Sequence, residues 1–213
     1  MPVAGHVVFD MDGVLVDSEP VHERANAEYL AGLGVTLDQE LSDDMMGRRV
    51  RELTDALAGR LGLEPERVFA DREAIFWRLL DQGLEAMPGL HAAVDRLARA
   101  GLPLAVASSG TRAYVDHVLE RLEVRAAFDA VVSGEDVHRA KPDPEIYLLA
   151  ADRLHADPGD CVAVEDTTHG IAAAHGAGMR AVAVTHPMNA TLDLSAADAV
   201  VADLTAAAAW ILA

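Results

Sequence analysis

Two carboxylates one residue apart, Asp10 and Asp12, close the apolar run Val7-Val8-Phe9 and are followed at once by Gly13. The run is short and continuous, so it reads as a buried strand over residues 5–9 with the acids at its carboxyl end. In open α/β sheets that end faces the ligand crevice. Side chains at alternate positions leave an extended backbone on the same side, so the two acids can address one ligand. One can serve as nucleophile or metal ligand while the other moves a proton, provided their surroundings separate their pKa values. Asp and Gly are also ordinary turn residues, and this string alone describes an acidic turn equally well.

Three further groups of reactive residues follow later apolar runs. After residues 102–107 come Ser108, Ser109, Gly110 and Thr111, hydroxyls and backbone N–H groups leading into a helix. Such a turn can hold a phosphate or simply cap the helix. After residues 130–133 comes Lys141, in a chain where lysine is very scarce, and Pro142 and Pro144 restrict the backbone that aims its ammonium. After residues 161–164 come Glu165 and Asp166, hard oxygen ligands that would form with Asp10 a self-repelling cluster unless a cation joined them. Mg²⁺ suits such a set, being held by one or two carboxylates with waters and substrate phosphate. Asp166 also fits the N-cap of the helix that follows.

These residues need a scaffold, and the 213-residue chain is long enough to build one with a sizeable core. Its net charge of −18 opposes binding to phosphate backbones and anionic membranes, so neither nucleic acid nor membrane is an expected partner. A phosphorylated small metabolite would need a local cationic pocket. The single Cys161 lies in an apolar run, reads as a buried structural thiol, and suits a reducing cytoplasm. No run approaches the ~20 apolar residues of a membrane span, and the N-terminus lacks a basic segment. His91, His117, His138, His155, His169, His175 and His186 show no metal-ligand spacing.

From Ser18 to about Gln82 the patterns are helical only. Ser18 reads as an N-cap with Pro20 just inside a helix that Gly32 and Gly34 stop, and further helices are predicted over 50–61 and 65–80. After the linker punctuation of 84–89, helices over 91–99, 114–122, 144–154 and 171–175 alternate with strands over 102–107, 130–133, 161–164, 180–184 and 199–201, and an Ala-rich C-terminal helix follows. The alternation and the continuous Val/Ala strands predict an α/β fold with a parallel, Rossmann-like sheet covered on both faces. The expected division is a core of 1–16 and 88–213, with 17–87 inserted as a small helical cap.

In this order, each at a strand end, the four groups resemble the motifs of the haloacid dehalogenase (HAD) superfamily: Asp10-Met11-Asp12-Gly13-Val14-Leu15-Val16-Asp17-Ser18-Glu19, then Ser108, then Lys141-Pro142, then Glu165-Asp166. The run Gly170…Ala173-Ala174…Gly176-Ala177-Gly178-Met179 is also typical of it. The helical insertion resembles the cap of the branch that holds β-phosphoglucomutase and sugar-phosphate phosphatases. The resemblance implies that Asp10 attacks phosphorus and that Asp12 protonates the leaving alcohol and then activates water. It implies Mg²⁺ held by Asp10, the Asp12 carbonyl and Asp166, with Glu165 direct or through water. Ser108, with Ser109 beside it, and Lys141 would bind phosphoryl oxygens.

Substrate choice is expected from Glu19, His22 and Asn26, from Gly47, Arg48, Arg49 and Arg51, and from Thr111 and Arg112, which stand where β-phosphoglucomutase has a Lys-Asn pair. Asp12 argues against dehalogenation, which has no alkoxide to protonate. The expected activity is a monomeric, Mg²⁺-dependent phosphomonoesterase acting on a small sugar or polyol phosphate. A phosphosugar mutase is the alternative, and a non-catalytic binding module the third reading.

Overall fold

A computed structural model gives the fold, with residues 4–35 and 50–213 described. The chain divides into two compact units, Met1–Asp17 with Glu85–Ala213, and Ser18–Leu84.

The first unit is built on six parallel strands in the order β5-β4-β1-β6-β7-β8: β1 His6–Phe9, β4 Leu104–Ala107, β5 Ala130–Val132, β6 Cys161–Glu165, β7 Arg180–Val184 and β8 Ala199–Val201. The first strand in sequence is thus central. Phe9 lies in register with Val106 of β4 on one side and Val164 of β6 on the other. The alternating helices follow as the sequence predicts: α4 Leu90–Arg99, α5 Arg112–Arg121, α6 Glu145–Arg153, α7 Thr168–Gly176 and α8 Leu204–Ile211. Small strand residues such as Ala105, Ala107, Ala163 and Ala183 pack with Ile146, Tyr147 and Ile171 of α6 and α7, so bulky helix residues fill the room that alanines leave. Cys161 is buried in this layer and donates its S–H to the Asp157 carbonyl (3.4 Å). Burial, with Asp160 and Asp157 nearby, pushes its thiol up to about 11, which fits a structural thiol.

The linker segment does more than punctuate. Glu85–Ala86 (β3) pairs antiparallel with Val16–Asp17 (β2), tying together the points where the chain leaves and re-enters this unit.

The second unit holds α1 Glu19–Gly32, α2 Val50–Leu61 and α3 Pro65–Gln82. Tyr29 and Leu30 of α1, Leu57 and Ala58 of α2 and Val68 of α3 form its apolar centre. Ser18 occupies the N-cap position of α1, but its side chain makes no capping hydrogen bond there. Among the described residues no helix is long and apolar enough to cross a membrane.

Candidate active site

The register of β1, β4 and β6 brings three of the four motifs side by side at the carboxyl edge of the sheet. The Asp10 N–H donates to the Val164 carbonyl (2.9 Å) and the Ser108 N–H to the Val132 carbonyl (3.0 Å), so both residues stay on the ladder at the point where they meet the site. Between the two aspartates, Met11 is fully buried, more deeply than either acid. The Met11 carbonyl accepts from the N–H groups of Val14 (3.2 Å), Leu15 (2.7 Å) and Val16 (3.1 Å), which closes the loop tightly after the acids.

Lys141, the sole lysine of the chain, lies at the centre of the cluster. Its Nζ donates to Asp10 Oδ1 (2.7 Å), Glu165 Oε1 (2.7 Å), the Ala107 carbonyl (3.1 Å) and Tyr147 Oη (3.3 Å). Burial would lower its pKa, but Asp10 and Glu165 outweigh that and hold it well above the usual lysine range. It is therefore a fixed cation.

Glu165 is fully buried and already saturated. Oε1 accepts from Lys141 and from the Tyr147 hydroxyl (2.6 Å); Oε2 accepts from the Asp166 N–H (3.0 Å), the Thr167 N–H (3.3 Å) and the Thr167 hydroxyl (3.1 Å). Burial opposes ionisation, yet Lys141 and these donors hold the carboxyl below its usual range. A methyl group at Gly170 would stand 1.8 Å from this carboxylate, so the glycine of the following helix is required by close approach.

Asp10 and Asp166 behave in the opposite way. Burial, reinforced by Glu165 and Asp166, pushes the Asp10 carboxyl well above its usual range despite Lys141. Burial also raises Asp166, against the pull of His186. Oxygens of Asp10, Glu165 and Asp166 lie within 4.8 Å of one another, and Asp166 Oδ1 is buried with no hydrogen-bond partner. A hard divalent cation fits this donor set, because it would satisfy the orphaned oxygen and relieve the repulsion that raises both aspartates. The N-cap role open to Asp166 belongs instead to Thr167, whose side chain accepts from the Gly170 N–H (3.0 Å).

Ser108 is buried and its hydroxyl accepts from the Gly110 N–H (3.1 Å), while Ser109 is exposed. Thr111 caps α5 by accepting from the Tyr114 N–H (3.3 Å). Arg112, expected near substrate, is committed elsewhere: it donates to the Val131 carbonyl (3.1 Å) and pairs with Asp136. Sequence patterns gave no hint of Tyr114, whose hydroxyl donates to Asp12 Oδ1 (2.6 Å), nor of Tyr147, since both read as apolar-face helix residues.

In the helical unit, His22 and Asn26 meet an arginine that sequence reading passed over. Arg72 is 1% exposed and donates through Nη2 to His22 Nδ1 (2.7 Å), through Nε to Asn26 Oδ1 (3.0 Å) and through Nη1 to Glu73 (2.8 Å). Because a guanidinium only donates, His22 Nδ1 must accept, and the ring proton sits on Nε2. The ring also stacks on Phe76, with centroids 4.3 Å apart. Glu19 is exposed in the first turn of α1. Arg51 is exposed and held by Glu66 (3.0 Å) and Asp55 (3.1 Å), a surface pairing within the unit. Gly47, Arg48 and Arg49 lie outside the described residues.

Burial, then the Arg72 charge, lowers His22 from 6.5 to about 4. A depressed histidine costs folded-state stability as pH falls, because the unfolded chain takes up the proton first. Between pH 7 and 4.5 the parent should therefore lose about 2 kcal/mol more than His22→Gln, allowing for partial exposure. Urea denaturation of both proteins at the two pH values checks this; equal losses would mean that His22 titrates normally.

The sequence profile of the family described as haloacid dehalogenase-like hydrolase matches residues 7–184. The chain is 34% identical over 184 residues to hexitol phosphatase B of Escherichia coli (strain K12), covering 84% of this chain and 83% of that protein. It is 35% identical over 190 residues to the phosphorylated carbohydrates phosphatase of Thermotoga maritima, covering 86% of each. Among solved structures, CbbY from Rhodobacter sphaeroides in complex with phosphate superposes with a TM-score of 0.79 at 28% identity, covering 95% of each chain.

Proposed function

The chain belongs to the haloacid dehalogenase-like hydrolases, and from that premise we propose that it is a Mg²⁺-dependent phosphatase of small sugar or polyol phosphates. The observation that carries the reading is the Asp10–Lys141–Glu165 constellation. A buried aspartate stands at the carboxyl end of the central strand, held by one fixed ammonium that a second, saturated carboxylate anchors. The relatives named above supply the substrate class, being phosphatases of hexitol phosphates and phosphorylated carbohydrates.

Asp10 attacks phosphorus in line, forming a bond to one carboxylate oxygen as the bond to the sugar oxygen breaks. Asp12, held by the Tyr114 hydroxyl, gives its proton to that leaving oxygen. It then takes a proton from the water that cleaves the aspartyl phosphate, releasing phosphate and restoring Asp10. Ser108 and Lys141 bind phosphoryl oxygens, and Lys141 carries the positive charge needed as the oxygens load with charge. Asp10, Asp166 and the Asp12 carbonyl would hold Mg²⁺, which would supply further charge neutralisation on the phosphoryl group. Glu165 anchors Lys141 and stands outside the inner ligand set, because its oxygens already accept five hydrogen bonds. The helical unit, inserted between Asp17 and Glu85, is assigned the choice of alcohol. The buried thiol of Cys161 suits a cytoplasmic enzyme.

Phosphate release from a panel of hexitol, hexose and triose phosphates, with β-glucose 1-phosphate followed in parallel for isomerisation, tests the reading. Release on a sugar or polyol phosphate that stops with chelator and returns with Mg²⁺ is the expected result. Isomerisation without release would replace the phosphatase by a mutase, and silence on all compounds would remove both.

A further inference from the structure

The loop after β7 reaches the ligand Asp166 from the side opposite the nucleophile. His186 Nε2 lies 3.0 Å from Asp166 Oδ2, with the two side chains 11% and 8% exposed. Asn189, 3% exposed, donates from Nδ2 to the Asp166 carbonyl (3.0 Å) and to the Val184 carbonyl (2.9 Å), while its Oδ1 accepts from the His186 N–H (2.9 Å). The Asn189 N–H donates to the His186 carbonyl (3.2 Å). A carboxylate oxygen 3.0 Å from Nε2 accepts, so the ring carries a proton on Nε2 that points at Asp166 Oδ2.

The two oxygens of Asp166 are thereby made unequal. Oδ2 is occupied by an imidazole N–H, and Oδ1 is left buried and bare, in a cluster where oxygens of Asp10, Glu165 and Asp166 lie within 4.8 Å of one another. Gly13 makes room for the arrangement. Its φ is +76°, and a Cβ there would stand 2.3 Å from Oδ2 and 3.1 Å from His186 Nε2.

We propose that His186 and Asn189 form a bracket that fixes the rotamer of Asp166, so that Oδ1 is presented to the divalent cation before it arrives. His186 is a positioning residue that acts through Asp166 and touches neither substrate nor metal. The inference rests on the cation site described above and goes beyond it, assigning a role to a histidine whose sequence spacing carries no metal signal.

The test is Mg²⁺ binding to the full chain by titration calorimetry, on the parent and on His186→Phe, His186→Ala and His186→Gln, with Asp166→Ala as the reference for a lost ligand. Partners that orient metal ligands are typically worth about 10- to 100-fold in metal affinity. His186→Phe, which fills the same space without a donor, and His186→Ala should therefore weaken Mg²⁺ about 10-fold or more. His186→Gln, which keeps an N–H donor, should stay within about 3-fold. If the Phe and Ala variants bind Mg²⁺ like the parent, or the Gln variant weakens as much as they do, the bracket is packing only and the proposal falls. If the parent itself does not bind Mg²⁺, the cation site falls with it, so the two failures are distinguishable.

Discussion

Asp10→Asn should lower phosphate release by about 10⁴-fold or more while leaving the fold within about 1 kcal/mol of the parent. The activity loss follows from removing the oxygen assigned to bond phosphorus, and an amide oxygen is too weak a nucleophile to replace it. The small stability change follows from the electrostatics. The Asp10 carboxyl is raised by burial and by Glu165 and Asp166, so its charge is a burden in the metal-free protein. Asparagine removes that burden and still offers Lys141 Nζ an acceptor. Turnover within ten-fold of the parent would end the nucleophile assignment.

Lys141→Met should fail on both counts. Removing one partner of a buried ion pair strands the other, at about 3–5 kcal/mol. Here two carboxylates are stranded, with the Ala107 carbonyl and the Tyr147 hydroxyl also losing a donor. Activity should fall by about 10³-fold, the scale of losing a preorganised charge at a developing anion. Lys141→Arg should not restore it, since a planar fork cannot replace a compact ammonium with four partners around one nitrogen. Paired denaturation and phosphate-release assays separate the two variants: one loses chemistry alone, the other chemistry and stability together. Unchanged stability in Lys141→Met would show that the ammonium is solvated rather than structural.

The sequence by itself determined the six strands of the parallel sheet, their alternation with helices and the order of the four motifs. Each of those is written locally. An apolar run of four or five residues between turns needs no distant partner to be read as a buried strand, and an acid or hydroxyl at its end inherits a position from it. That is why Asp10, Ser108, Lys141 and Asp166 are legible in the sequence, along with the parallel sheet that aligns three of them.

Only the tertiary structure decided which groups hold the others. Tyr114 meets Asp12 across 102 positions, Lys141 meets Asp10 across 131, and Arg72 meets His22 across 50. Tyr114 and Tyr147 look in sequence like any aromatic on a helix's apolar face, and Arg72 like any solvated arginine. Their hydroxyls and guanidinium become meaningful only once packing excludes water around them and each buried polar atom must find a partner. Arg112 shows the reverse case. The motif position suggested substrate, but in the fold its guanidinium pairs with Asp136 and donates to the Val131 carbonyl. His186 is the sharpest instance, since two loops distant in sequence decide which oxygen of Asp166 is left bare.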